Sequence, residues 1–177
     1  MSNTLLAASL VAATALAASA SAQVTKDTVP GVTNFARVET TVACGGVITS
    51  AAIADLHERG YNSVFDLQLR DEANAHVDDE AAAAKAAGVH FVHVPFTPAH
   101  PDTHSVDTFL EEVARPENQP AFIHCSGGNR AAGFWMIKRV LLDKWDVDKA
   151  QKEAEGLGLS SAPMKQFVLD YINAHKP

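Results

Sequence analysis

The chain has 177 residues, of which 47% are hydrophobic and 20% charged, and its formal net charge is −7. This length suits one domain with a sizeable core, and the composition excludes collagen, coiled coil and a disordered chain. The acidic balance argues against a nucleic-acid partner, because phosphate backbones bind basic surfaces, and two cysteines cannot form a disulfide scaffold.

The first 22 residues have the composition of a secretory signal peptide. Met1 to Ala22 contain no charged side chain, their apolar run is short for a membrane span, and Ala20-Ser21-Ala22 fits the small-x-small cleavage rule. The usual basic residue near the start is missing, so an uncleaved N-terminal helix is the alternative. We expect cleavage near Ala22, export to the periplasm and no membrane span in the mature chain.

Predicted strands and helices alternate along the mature chain. Residues 23–33 are expected to form an extended leader and residues 34–177 one domain. In chain order, we predict a strand over 35–43, a helix over 51–59, a strand over 63–69, a helix over 78–87, a strand over 89–94, a helix over 105–114, a strand over 120–124, and helices over 131–142, 147–155 and 164–174. This alternation predicts an α/β domain with a mainly parallel central sheet and helices on both faces.

The most informative segment joins the strand that ends at His124 to the next helix. A loop in this position directs backbone N–H groups inward, and the helix dipole adds to the field, so the loop can hold an anion. Cys125 is the predicted nucleophile, since an anion site favours a thiolate, and Arg130 is the predicted ligand of the anion's oxygens. The remaining predicted loop residues are Ser126, Gly127, Gly128 and Asn129, with His124 supporting the loop from behind.

The run His-Cys-x-x-Gly-x-Arg resembles the active-site loop of cysteine-dependent phosphatases. Segments 34–38, 44–46, 63–70 and 87–95 are similar to the phosphatase-like domain of beta-lactamase-hydrolase-like proteins, which belongs to the tyrosine/dual-specificity phosphatase superfamily. The resemblance covers the chain from Asn34 onward. It implies the phosphatase fold, a phosphorylated substrate or small anion as partner, a cysteinyl-phosphate on Cys125, and Arg130 as phosphate clamp, with no metal and no organic cofactor.

The loop departs from the tyrosine phosphatase pattern in its length. Four residues separate Cys125 from Arg130, where tyrosine phosphatases have five, and Ala131 follows where such loops often carry Ser or Thr. Rhodanese-type sulfurtransferases use this shorter spacing, which suits a cysteine persulfide. A sulfurtransferase is therefore the alternative function, and an inactive module that binds phosphate or another anion is the third.

A phosphatase of this type also needs an acid for the leaving group, which the family takes from a loop after a central strand. In the segment 96–104, Asp102 is the first candidate and His100 the second; capping of the following helix is the alternative role of Asp102. Arg70, which follows a predicted strand, is expected either to support the site or to form a surface ion pair.

Two further residue pairs contain side chains that can bind a metal or react as thiols. His90 and His93 lie three residues apart on a strand and therefore face opposite sides, which argues against a shared metal. Cys44 is either a second thiol near Cys125 or a small core residue.

Overall fold

A six-stranded sheet forms the centre of the protein in the computed structural model, which describes residues 23–176. The strands are β1 (Val24–Lys26), β2 (Ala36–Val38), β3 (Val42–Gly45), β4 (Ser63–Asp66), β5 (His90–His93) and β6 (Ala121–His124). The helices are α1 (Ala52–Glu58), α2 (Val77–Ala87), α3 (Thr103–Val113), α4 (Asn129–Leu141), α5 (Val147–Leu157) and α6 (Ala162–His175), with a 3₁₀ turn at Pro116–Asn118. The predicted signal peptide lies outside the described residues.

The strand order is β1-β2-β3-β6-β4-β5. The pairs β3–β6, β6–β4 and β4–β5 are parallel, while β1–β2 and β2–β3 are antiparallel, so the predicted mainly parallel α/β sheet is confirmed. The last residue of β6, His124, is in register with Gly45 of β3 and Asp66 of β4. The loop after β6 therefore leaves the middle of the sheet at the edge where the parallel strands end.

The structure differs from the expected elements at the N-terminal side of the domain. The predicted strand over 35–43 is two strands, because the chain reverses after β2: Glu39 has a positive φ of 46°, and the Thr41 N–H donates to the Val38 carbonyl at 3.0 Å. The segment expected to be an extended leader contributes β1, whose residues pair with β2. This pairing satisfies backbone groups of β2 that would otherwise lie at an open sheet edge.

Helices cover both faces of the sheet, as predicted. On one face, α3, α4, α5 and α6 pack around a core that includes Phe65, Phe109 and Phe134. On the other face, α1 and α2 cover a smaller cluster that includes Phe122. Successive strand residues point to opposite faces, so Ile123 belongs to the first core and Phe122 to the second.

Helix α4, which begins at the predicted site, lies in the larger core. It is buried along most of its length and packs against α5 and α6. Gly133 permits the close approach of α6, since a Cβ there would lie 2.5 Å from Cε of Met164. Within residues 23–176, no helix is long and apolar enough to cross a membrane.

Candidate active site

The loop from Cys125 to Arg130, called the anion loop below, places a sulfur atom at the start of a helix. The Gly128 N–H donates to Sγ of Cys125 at 3.1 Å, and Cys125 itself is 1% exposed. Gly128 is the N-cap of α4 and has φ of +96°, a left-handed conformation that favours glycine. A backbone donor at a helix N-terminus stabilises negative charge on the sulfur, so this geometry suits a thiolate nucleophile.

Neighbouring backbone holds the anion loop in place. The Cys125 N–H donates to the Gly45 carbonyl at 3.3 Å, and the Val47 N–H donates to the Ser126 carbonyl at 3.3 Å. Gly46 lies so close that a Cβ there would be 3.0 Å from the Ser126 carbonyl oxygen. On the outer side, Nδ2 of Asn34 donates to the Gly127 carbonyl at 3.3 Å. Contacts from the end of β3, from the residues that follow it and from Asn34 therefore fix the backbone of the anion loop between Cys125 and Gly127.

Asn129 links the anion loop to the connection between α5 and α6. Its Oδ1 accepts from the N–H groups of Ser160 and Ser161, both at 2.8 Å, and its Nδ2 donates to Oγ of Ser160 at 3.0 Å. The side chain of Asn129 is thus turned toward this connection, and its contribution to anion binding is limited to its backbone.

Arg130 is held beneath the anion loop by a network of acceptors. Its two terminal nitrogens donate to the two carboxylate oxygens of Glu72 at 2.6 and 2.7 Å. Further donations go to the carbonyls of Leu67 at 3.0 Å and Phe96 at 2.8 Å, and to Oγ of Ser126 at 3.0 Å. Arg130 as a whole is 8% exposed. Burial and these hydrogen bonds fix the orientation of its guanidinium before any ligand binds.

The pair between Arg130 and Glu72 keeps both groups charged. Burial lowers the pKa of Arg130, but the hydrogen bond to Glu72 and the negative charge of the Cys125 thiolate outweigh this and raise it above its ordinary value. Burial raises the pKa of Glu72, but the hydrogen bonds from Arg130 and from the Leu69 N–H outweigh this and lower it. Glu72 is therefore ionised while it is paired with Arg130.

Glu72 was not predicted as a site residue. Glu72 follows Arg70 and Asp71 in a charged loop, a pattern that is typical of a solvated surface. Arg70 does have the surface role: it pairs with Asp78 at 2.7 Å, and its side chain is 59% exposed. The position of Glu72 after a central strand was the available signal, since α/β sites gather there.

His124 lies on the opposite face of the sheet from Cys125. Its ring stacks on Phe122 with centroids 5.8 Å apart, within the smaller core, whereas Cys125 belongs to the larger one. The observed support for the loop comes from the His124 backbone, whose carbonyl accepts from the Leu67 N–H at 3.0 Å.

Asp102 and His100 lie in the segment that leads from β5 to α3. Asp102 is the N-cap of α3, and its Oδ1 accepts from the His104 N–H at 3.0 Å, so the expected alternative as a helix cap is what the structure shows. Both residues are exposed. The same segment reaches the site through the Phe96 carbonyl, which accepts from Arg130.

Cys44 and Cys125 are both free thiols. Cys44 is in register with Ile123 on β6 and lies in the larger core. Burial raises the pKa of Cys44 well above its ordinary value, and the negative charges of Cys125 and Glu153 add smaller contributions in the same direction. A protonated, buried thiol fits the expected alternative that Cys44 is a core residue.

We expect Glu72→Gln to destabilise the protein in a pH-dependent manner. The lowered pKa means that Glu72 contributes stability above its ordinary pKa of 4.5, and that this contribution is lost as the pH falls through the lower folded-state value. Because the Glu72 side chain is 23% exposed, the loss at neutral pH should be about 2 kcal/mol, below the cost of breaking a fully buried pair.

Urea unfolding at a series of pH values measures this effect. The difference between wild type and Glu72→Gln should shrink as the solution is acidified below pH 4.5. Glu111→Gln, at an exposed position of α3, is the matched control and should track wild type. A constant difference at every pH would contradict the prediction.

Residues 15–166 match the model of a family described as "DSP-PTPase phosphatase fused to NAD+ Kinase". No curated protein matches the sequence.

Three solved structures illustrate the shared fold. A putative DUF442 phosphatase from Shewanella putrefaciens CN-32 has a TM-score of 0.69 and 18% identity, covering 83% of this chain and 93% of that one. TpbA of P. aeruginosa, in complex with pTyr, has a TM-score of 0.65 and 19% identity, with coverage of 88% and 96%. The catalytic core of the S. cerevisiae PP-IP phosphatase Siw14, in complex with citrate, has a TM-score of 0.63 and 22% identity, with coverage of 83% and 93%.

At 18–22% identity these structures show a shared fold. The family match over residues 15–166 shows that the chain is a member of that family. The matched residues 15–166 include the whole anion loop, from Cys125 to Arg130. The chain therefore belongs to the DSP-PTPase family of cysteine-based phosphatases.

Proposed function

We propose that the protein hydrolyses phosphomonoesters through a covalent phosphate on Cys125. The observation that carries this proposal is the Sγ of Cys125, which lies at a helix N-terminus, accepts from the Gly128 N–H and faces a site with an immobilised Arg130. The family match supports it, because the matching family is described as a DSP-PTPase phosphatase.

In the first step, the Cys125 thiolate attacks phosphorus, and the bond between phosphorus and the leaving oxygen breaks. Backbone N–H groups of the anion loop and Arg130 bind the non-bridging oxygens, whose charge grows in the transition state. A phosphoryl oxygen would replace Oγ of Ser126 as an acceptor, while the pairing with Glu72 stays intact. Water then attacks the cysteinyl-phosphate, releasing inorganic phosphate and restoring the thiolate.

The length of the anion loop keeps sulfur transfer as the alternative to be tested. Four residues between Cys125 and Arg130 form a smaller ring of N–H groups than five would. The phosphatase family match favours phosphoryl transfer in spite of this shorter ring.

We expect purified, reduced wild type to release phosphate from an aryl phosphate and to form no thiocyanate from thiosulfate and cyanide. Cys125→Ser should lose at least about 1000-fold of the phosphatase rate, because the hydroxyl is a far weaker nucleophile. Cys44→Ser, which removes the buried thiol of β3, is the matched control and should retain the activity. Thiocyanate formation without phosphate release would contradict the proposal and identify a sulfurtransferase.

We propose phosphorylated aromatic groups, such as phosphotyrosine, as the substrate class. TpbA was solved with pTyr, whereas Siw14 is described as a PP-IP phosphatase. Ser126, Gly127, Gly128 and Asn129 add no positive charge to the anion loop, and this argues against selectivity for highly charged inositol phosphates. The net charge of −7 points the same way, since it disfavours a polyanion.

Asp102 is proposed as the acid that protonates the leaving oxygen. Its Oδ1 caps α3, while its segment contacts Arg130 through the Phe96 carbonyl. An acid in this position would be needed most for poor leaving groups, since good ones depart as anions.

Two substitutions separate catalysis by Asp102 from capping. Asp102→Asn keeps a capping oxygen and removes the acid, so we expect the rate on an alkyl phosphate to fall by about 10²–10⁴-fold, with a smaller loss on a nitrophenyl phosphate. Asp102→Ala removes both roles and should also lower the melting temperature. An Asp102→Asn enzyme with unchanged rates and an unchanged pH profile would assign Asp102 to the cap alone.

Export to the periplasm is the proposed localisation, supported by the uncharged segment Met1 to Ala22. Expression of the full chain in a bacterial host, followed by fractionation and mass spectrometry, tests it. We expect a periplasmic protein that begins at Gln23. A cytoplasmic protein that retains Met1 or Ser2 would contradict the proposal.

A further inference from the structure

Three ionisable side chains meet in the smaller core, on the sheet face opposite the active-site sulfur. They are Asp66 at the end of β4, Glu80 in α2 and His124 at the end of β6, and each is 0% exposed. Nε2 of His124 lies 3.1 Å from Oε2 of Glu80 and 3.8 Å from Oδ1 of Asp66. One donor atom from each of the three residues lies within 4.8 Å of the other two. These residues are called the buried triad below.

Most polar atoms of the buried triad have no hydrogen-bond partner among the described residues. Oδ1 of Asp66 accepts from the Gln68 N–H at 2.8 Å. Among the residues that the structure describes, Oδ2 of Asp66, both carboxylate oxygens of Glu80 and both ring nitrogens of His124 have no hydrogen-bond partner. The contact between His124 and Glu80 is thus close without being aligned for a hydrogen bond. Buried polar groups without partners are costly, so this arrangement requires a further neutralising group.

Neighbouring side chains do not provide that group. Nε2 of His93, whose residue is in register with Asp66, donates to the Gln68 carbonyl at 2.9 Å and is thereby occupied. The Gln68 side chain is fully buried and lies near Glu72, whose pKa it helps to lower, and as a neutral amide it brings no charge to the buried triad. No Lys or Arg pairs with Asp66 or Glu80 in the described part of the chain.

A divalent cation matches the charge and the spacing. Two carboxylates supply two negative charges, and a neutral imidazole supplies a nitrogen lone pair. Ligand atoms about 2.0–2.2 Å from a zinc ion lie about 3.3–3.5 Å apart at tetrahedral angles. The observed separations of 3.1 and 3.8 Å lie on either side of that range. The mixed nitrogen and oxygen donors suit zinc or a similar transition metal better than calcium or magnesium.

We propose that Asp66, Glu80 and His124 form a buried structural site for a divalent cation of the zinc class. The site would tie α2 to β4 and β6 directly behind the anion loop. It takes no part in the reaction, since His124 and Cys125 point to opposite faces of the sheet. This inference is independent of the proposed function.

The competing explanation is a proton. Burial raises the pKa of Asp66, in spite of the opposing charge of His124, so a carboxyl group that shares a proton with its neighbours could also reduce the charge of the cluster. A proton and a metal ion are distinguished by metal analysis.

The test uses the full chain with Cys125→Ser, which removes the reactive thiol as a metal ligand and serves as the parent. After refolding with zinc and exhaustive dialysis, we expect about one zinc per chain in the parent and a higher melting temperature than after refolding with a chelator. Adding Glu80→Gln should abolish zinc retention. Adding His90→Gln, in the exposed pair between His90 and Glu112, is the matched control and should retain zinc.

Refolding the parent with cobalt keeps the proposal testable if Glu80→Gln fails to fold. We expect visible d–d absorption without a thiolate charge-transfer band, since the ligands are nitrogen and oxygen. Less than about 0.1 zinc per chain in the parent, with equal melting temperatures in zinc and in chelator, would overturn the proposal in favour of a shared proton. Equal zinc in the Glu80→Gln variant would also overturn it, because the ion would then lie elsewhere.

Discussion

The two hydrogen bonds between Arg130 and Glu72 determine how the active site is assembled. They join the helix that follows the nucleophile to the loop that follows β4, at distances of 2.6 and 2.7 Å. The carbonyls of Leu67 and Phe96 complete the set of acceptors and bring the segments after β4 and β5 to the same guanidinium. An arginine held in this way is already oriented for an oxyanion, so binding requires little further ordering of its long side chain.

The pairing between Arg130 and Glu72 also affects which groups can stabilise negative charge in the site. The carboxylate of Glu72 is paired with Arg130 and opposes its positive charge, and the chain as a whole has a formal net charge of −7. The backbone donors of the anion loop and the N-terminus of α4 therefore matter for the anionic sulfur, as the Gly128 contact to Cys125 shows. Arg130 contributes direction and a donor network, while the helix start stabilises the thiolate.

The alternation of side chains across β6 separates two kinds of chemistry in adjacent residues. Cys125 belongs to the core under α3 to α6, whereas His124 lies with Asp66 and Glu80 under α1 and α2. Parallel register brings Gly45, Asp66 and His124 to one level of the sheet. The same register that places the nucleophile at the sheet edge thus also assembles the buried triad behind it.

The sequence by itself determined the α/β alternation, the mainly parallel sheet and the strand–loop–helix unit around Cys125 and Arg130. Local patterns carry these features: strand and helix periodicity, and a glycine-rich turn at a helix start. Only the tertiary structure decided the partners of those residues. Glu72 and Glu80 are 58 and 44 residues from Arg130 and His124 in the sequence, and strand order, which local periodicity does not encode, brings them together. Likewise, the pairing of β2 with β3 depends on a chain reversal at Glu39, where a residue with a left-handed backbone conformation interrupts a stretch with uniform strand propensity.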